Sequence, residues 1–186
     1  MRNEPQKVID EGQKFIEKYR AHSAEAYYLV GNANRLTGKD EIALKMYKNS
    51  LKESKQNVSG KLIYSLAELY AETDSLPEAL SVIDRGKKSD SLSLLKGKIL
   101  MELEDFDEAI KSLEPVSKKR DSLGAAAKLH MGEIKEIQGD TSSALNLFKK
   151  AESEGNFGEL RDKARAKKEI LENFGQALNK KGKVCC

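Results

Sequence analysis

A chain of 186 residues can bury a sizeable core as one domain. Its 34% charged and 39% apolar content, with three prolines and no tryptophan, fits a mostly helical protein. The net charge of +3, from 33 basic and 30 acidic residues, is too close to balance to point to a nucleic-acid partner. No run of about 18 apolar residues is present to form a membrane span, and the opening Met1-Arg2-Asn3-Glu4-Pro5 lacks the apolar stretch of a signal peptide. The expected compartment is the cytoplasm, or the periplasm or envelope if a signal sequence has been removed.

In chain order, residues 5–20 carry Val8, Phe15, Ile16 and Tyr19 as one apolar stripe, which predicts a helix capping the first pair of repeated segments. Segments 24–37 and 40–54 then show helical periodicity. The pattern recurs in pairs at 59–73 and 76–88, 90–103 and 106–118, and 122–138 and 141–153. Residues 158–180 hold Leu160, Ala164, Leu171, Phe174 and Leu178 among many charges, an amphipathic helix suited to shield the last pair. Residues 182–186 read as a flexible tail.

The pairs share columns. Gly31–Ala43–Tyr47–Ser50, Ala67–Ala79–Ile83–Gly86, Gly97–Ala109–Leu113–Val116 and Gly132–Ala144–Phe148–Ala151 all have offsets of 12, 4 and 3. The small residues let two helices approach closely, and the large one fills the space a turn further on. The alanines Ala43, Ala79, Ala109 and Ala144 lie 36, 30 and 35 residues apart. The short interval predicts that the second helix of the second pair ends near Gly86, with a tight turn at Ser89-Asp90.

The breaks inside the pairs carry helix-stop signals. Gly38 and Gly139 accept the left-handed conformation that ends a helix. Asp74 and Glu104 accept it less readily, so the second and third turns are expected to differ. Ser75 with Glu78 and Asp105 with Glu108 have capping-box spacing, Asp140 is a plain N-cap, and Pro77 sits near a first helical position.

These columns resemble the tetratricopeptide repeat, a helix–turn–helix unit of 34 residues with the pattern W-x2-L-G-x2-Y, A-x3-F and P. The small, alanine and large apolar columns match over about residues 24–155. Tyr70 and Leu100 fall in the aromatic column, whereas Asn34 and Lys135 depart from it. Tyr27, Ile63, Ser93 and Lys128 stand in place of the tryptophan, and the terminal proline is missing. The stretch Phe15–Arg20 leading into Ala26-Tyr27-Tyr28 is also similar to repeats of bacterial envelope-assembly proteins.

The resemblance implies an all-α, right-handed α-solenoid. It would have four repeats (about 24–54, 59–88, 90–118 and 122–155) between flanking helices, as a single domain over residues 1–181. It further implies that the first helices line a concave groove. The register assigns to that groove Tyr28, Asn32 and Arg35, then Lys61, Tyr64 and Glu68, then Leu94, Lys98 and Met101, and finally Leu129, Glu133 and Glu136. Two tyrosines, an apolar floor and both charges suit an extended or helical peptide. Chaperone-binding members clamp a terminal carboxylate with lysines, asparagines and an arginine. Asn32 fits one such position, but Tyr28, Ser65, Ser91 and Leu95 replace the others, which speaks against that ligand.

The expected function is a non-enzymatic scaffold or adaptor for a protein or peptide. The alternatives are an envelope-assembly subunit or a scaffold that self-associates as a homo-oligomer. His22 and His130 are solitary, and no H-E-x-x-H, P-loop, G-x-G-x-x-G or G-x-S-x-G occurs, so no catalytic residue, metal or cofactor is expected. Arg161, Lys163, Arg165, Lys167 and Lys168 alternate with acidic residues, as a solvated helix does rather than a phosphate-binding face. Cys185-Cys186 offers no disulfide framework. It resembles a double-prenylation signal, but without the GTPase that carries one.

Overall fold

The structure is a computed structural model that describes residues 4–19, 23–54, 58–154 and 158–182, with side chains in the last stretch to residue 174. Among these residues there are ten helices and no strand. The helices fall into two compact units, residues 1–88 and 89–186. The first holds α1 (Glu4–Lys18), α2 (Ala24–Leu36), α3 (Asp40–Glu53), α4 (Gly60–Glu72) and α5 (Leu76–Asp84). The second holds α6 (Asp90–Glu102), α7 (Phe106–Ser117), α8 (Ser122–Ile137), α9 (Thr141–Glu154) and α10 (Glu159–Gly182). Within each unit, every helix packs on the next in sequence. The fold is the all-α solenoid that the columns imply.

The columns form the joints. A Cβ built on Gly31 would stand 2.6 Å from the Tyr47 ring, and one on Gly97 2.5 Å from Cδ2 of Leu113. Ala43, Ala109 and Ala144 are fully buried, as are Tyr47, Leu113 and Phe148. The small residue therefore leaves the volume that the large residue of the paired helix takes up.

The turns are more uniform than expected. Asp74 and Glu104 adopt left-handed backbone, φ 58° and 59°, beside Gly38 and Gly139 at 72° and 77°. Each turn closes with the same two bonds. In the first, Gly38 N–H donates to Arg35 O at 3.0 Å and Lys39 N–H to Asn34 O at 2.9 Å. In the third, Glu104 N–H donates to Met101 O at 3.0 Å and Asp105 N–H to Leu100 O at 2.9 Å. These bonds satisfy the last carbonyls of the helix and outweigh the backbone cost at Asp74 and Glu104.

The caps divide. Asp105 accepts from Glu108 N–H at 3.4 Å and Asp140 from Ser143 N–H at 3.1 Å. Ser75 makes no side-chain cap; its hydroxyl turns back toward Thr73 O at 3.5 Å, so the expected box at α5 does not form. The α5 helix ends at Asp84, two residues before the expected end near Gly86. Arg85 and Gly86 N–H close the last turn onto Val82 and Ile83 O, and Ser89 then caps α6 by accepting from Leu92 N–H at 3.3 Å.

At the N-terminus, Ile9 is the buried residue of α1, while Val8, Phe15 and Tyr19 stay exposed, so the expected stripe is only partly covered. At the other end Ala164 is buried with Leu129, Ala144, Phe148 and Ala151, and Leu160 and Leu171 pack around that cluster. Phe174 is exposed. His22, the side chain of Leu178, and residues 183–186 with the cysteine pair lie outside the described part of the chain.

Candidate functional site: a polar aromatic face on α2 and α4

The face forms because α2 and α4 each turn residues three to four apart to one side. On α2 these are Tyr28, Asn32 and Arg35. On α4 they are Lys61, Tyr64 and Glu68, joined by Glu72. The Arg35 guanidinium holds the two helices together. Nη1 lies 2.6 Å from Glu68 Oε2, and Nη2 lies 2.6 Å from Glu72 Oε1. A planar fork suits two carboxylates at once, which an ammonium cannot match. Burial opposes the Arg35 charge, but the hydrogen bond it donates to Glu68 and the charges of Glu68 and Glu72 raise its pKa above the ordinary value.

Tyr47 of α3 lies beneath. Its hydroxyl donates to Asn32 Oδ1 at 2.6 Å, and its ring centroid is 5.9 Å from that of Tyr28. Burial raises the pKa of Tyr47 despite Arg35 nearby. Burial also raises that of Tyr64, helped by the charge of Glu68 and a hydrogen bond with it. Both are therefore neutral phenols at ordinary pH, able to donate a hydrogen bond. Tyr28, Asn32, Arg35, Tyr64 and Glu68 are half-buried and Lys61 is exposed. This is an amphipathic surface with aromatic area and both charges.

The second unit places its assigned residues differently. On α6, Leu94 and Met101 are half-buried and Lys98 is exposed. On α8, Leu129 is 1% exposed within the core, so it offers nothing to a ligand. Glu133 and Glu136 are taken by α10: Lys163 Nζ lies 3.0 Å from Glu133 Oε1, and Lys167 Nζ 2.7 Å from Glu136 Oε2. His130 Nδ1 lies 2.8 Å from the other Glu133 oxygen. Burial works against ionisation of Glu133, but the hydrogen bonds and charges of His130 and Lys163 bring its pKa down to about 2. That arrangement ties α10 to α8 through Glu133 and Glu136.

Two buried polar residues stand where the repeat pattern has aromatic ones. Asn34 donates from Nδ2 to Val30 O at 2.8 Å. Lys128, in the tryptophan column, donates to Lys119 O at 2.9 Å and pairs with the Glu154 carboxylate. Their departure from the column was the available sequence signal, but it could not name these partners. Among the described residues, no group of three or more His, Cys, Asp or Glu is placed to hold a metal. No helix there is long and apolar enough to cross a membrane.

Comparison with known proteins agrees with the helical fold. Residues 94–159 match the sequence model of the tetratricopeptide repeat. No curated relative matches by sequence. Among solved structures, the chain is similar to YrrB, described as a TPR protein with an unusual peptide-binding site. The TM-score is 0.72 at 21% identity, over 88% of this chain and 84% of that one. It is also similar to MamA, with TM-score 0.70 at 19% identity over 78% and 85%. A third is BtubC (BKLC) from P. vanneervenii, with TM-score 0.63 at 13% identity over 94% and 89%. These likenesses carry the fold, and residues 94–159 carry the tetratricopeptide repeat pattern.

Proposed function

We propose that the chain is a non-enzymatic scaffold that holds a peptide or protein segment against the polar aromatic face of α2 and α4. The supporting observation is the half-buried pair Tyr28 and Tyr64 beside the Arg35–Glu68–Glu72 network. Aromatic area of this kind binds at low entropic cost, and the network holds the polar groups in place before a ligand arrives. Tyr28 and Tyr64 anchor the segment, Asn32 meets its backbone, and Lys61 pairs with a carboxylate at the rim. Leu94, Lys98 and Met101 of α6 offer a second patch, on the other unit. Similarity to a TPR protein with a peptide-binding site supports this reading, as does the habit of the family.

The test is affinity capture from the source cell with mass spectrometry, comparing the wild type with Tyr64→Ala plus Lys61→Glu. Circular dichroism checks that the variant remains folded. A partner held by the wild type and lost by the folded variant supports the face. Partners retained in full by the variant remove the face from the function.

A further inference from the structure

Among the described residues, α1 stands in the register of a second helix, and its substantial packing is on α2. In the pairs, the second helix turns three residues at offsets of four and three toward the first. They are Ala43–Tyr47–Ser50, Ala109–Leu113–Val116 and Ala144–Phe148–Ala151, and all are buried. The direction is visible at Ser50, whose hydroxyl donates to Ala24 O of α2 at 2.6 Å. The same offsets fall in α1 on Val8–Gly12–Phe15, with glycine at the large position, where an added Cβ would stand 2.3 Å from Cγ2 of Val30 on α2. Val8 precedes Gly31 by 23 residues, as Ala109 precedes Gly132. Yet Val8 is 40% and Phe15 44% exposed.

The result is an open cavity of about 420 Å³ between α1 and α2, lined by Val8, Glu11, Gly12, Phe15, Glu25 and Leu29. Leu29 is 46% exposed. The floor is apolar, and the charged residues in the lining are two carboxylates. Glu11 meets Lys7 at 3.9 Å, with side chains 67% and 73% exposed. So solvated a pair leaves the carboxylate available.

We propose that this groove docks one amphipathic α-helix of a partner protein. The helix is apolar on its buried side and carries lysine or arginine flanks that meet Glu11 and Glu25. A helix is the occupant because the corresponding place in the second unit, against α7 and α8, is filled by α6, which packs on both. A helix also satisfies its own backbone groups in an apolar seat, which a lone extended segment would not. Basic flanks follow from charge complementarity with the rim. The lining of this groove shares no residue with the α2–α4 face, which it adjoins along α2.

The probe is a helix-stabilised peptide of roughly 15 residues, with leucines three and four apart and lysine flanks. Its counterpart has glutamates in place of the lysines. Binding is read by fluorescence anisotropy and by methyl chemical shifts at Val8 and Leu29. The basic peptide should bind the wild type saturably and move those methyls. Glu11→Lys with Glu25→Lys should weaken it about tenfold or more, while the acidic counterpart gains affinity for that variant. Phe15→Ala should weaken both, whereas Tyr64→Ala leaves binding unchanged. The named variants alter exposed or half-buried side chains, and a thermal melt confirms their fold. Equal affinity for the charge-reversed variant, or shifts that bypass Val8 and Leu29, overturns the proposal. So does self-association in sedimentation that Phe15→Ala abolishes, which would make a second copy the occupant.

Discussion

The hydroxyl of Tyr47 donates to Oδ1 of Asn32 at 2.6 Å. A buried joint residue is thereby tied to a residue on the outward face of α2, so packing and the candidate site share one hydrogen bond. Tyr47→Phe keeps the ring and removes the bond. It should lower stability by about 1 kcal/mol, measured by urea unfolding. No loss would mean that water replaces the hydroxyl at Asn32 without cost.

Gly132 faces Phe148 at the corresponding joint of the second unit, where an added Cβ would stand 2.5 Å from Cε1. Alanine improves helix propensity by about 1 kcal/mol. The displaced ring costs about 1–3 kcal/mol, because Phe148 is fully buried. Gly132→Ala should therefore destabilise the protein or at best leave it unchanged. A clear rise in melting temperature would show that the ring can move freely.

Glu104 holds φ 59° with a full side chain. Glycine removes the steric cost of roughly 1–2 kcal/mol, less the entropy that glycine adds to the unfolded chain. Glu104→Gly should stabilise by about 0.5–1 kcal/mol. Glu104→Val should do the opposite, since a β-branched residue tolerates this backbone poorly. Chemical denaturation of the two variants checks the sign.

Glu133 links pH to stability. Its pKa is lowered from 4.5 to about 2 in the folded chain. A depressed folded value means that its stabilisation is present above about pH 4.5 and is lost as pH falls toward 2. The loss is at most about 3 kcal/mol. Glu133→Gln should flatten that part of the stability profile, and Lys163→Met should flatten it partly. An unchanged acid limb in Glu133→Gln would assign the acid sensitivity to other carboxylates.

The joints are legible in residue spacing alone, because the 12, 4 and 3 offsets are local and a helix converts them directly into faces. The turns are harder. Glu104 looks unsuited to left-handed backbone when judged alone, but the bonds from Glu104 and Asp105 N–H to Met101 and Leu100 O decide its conformation. The register marked Leu129 and Glu133 as ligand-facing. It could not show that Leu129 joins the core beside Ala164 or that Lys163 of α10 takes the Glu133 carboxylate.

The sequence by itself determined the helices and their pairing through small and large columns, since these rest on spacing within a helix and across one short turn. Only the tertiary structure decided what covers each face. Arg35 finds its carboxylates 33 and 37 residues away, and α1 keeps Val8 and Phe15 open. Helical periodicity states which side chains share a side; whether that side meets another helix or water depends on residues distant in sequence.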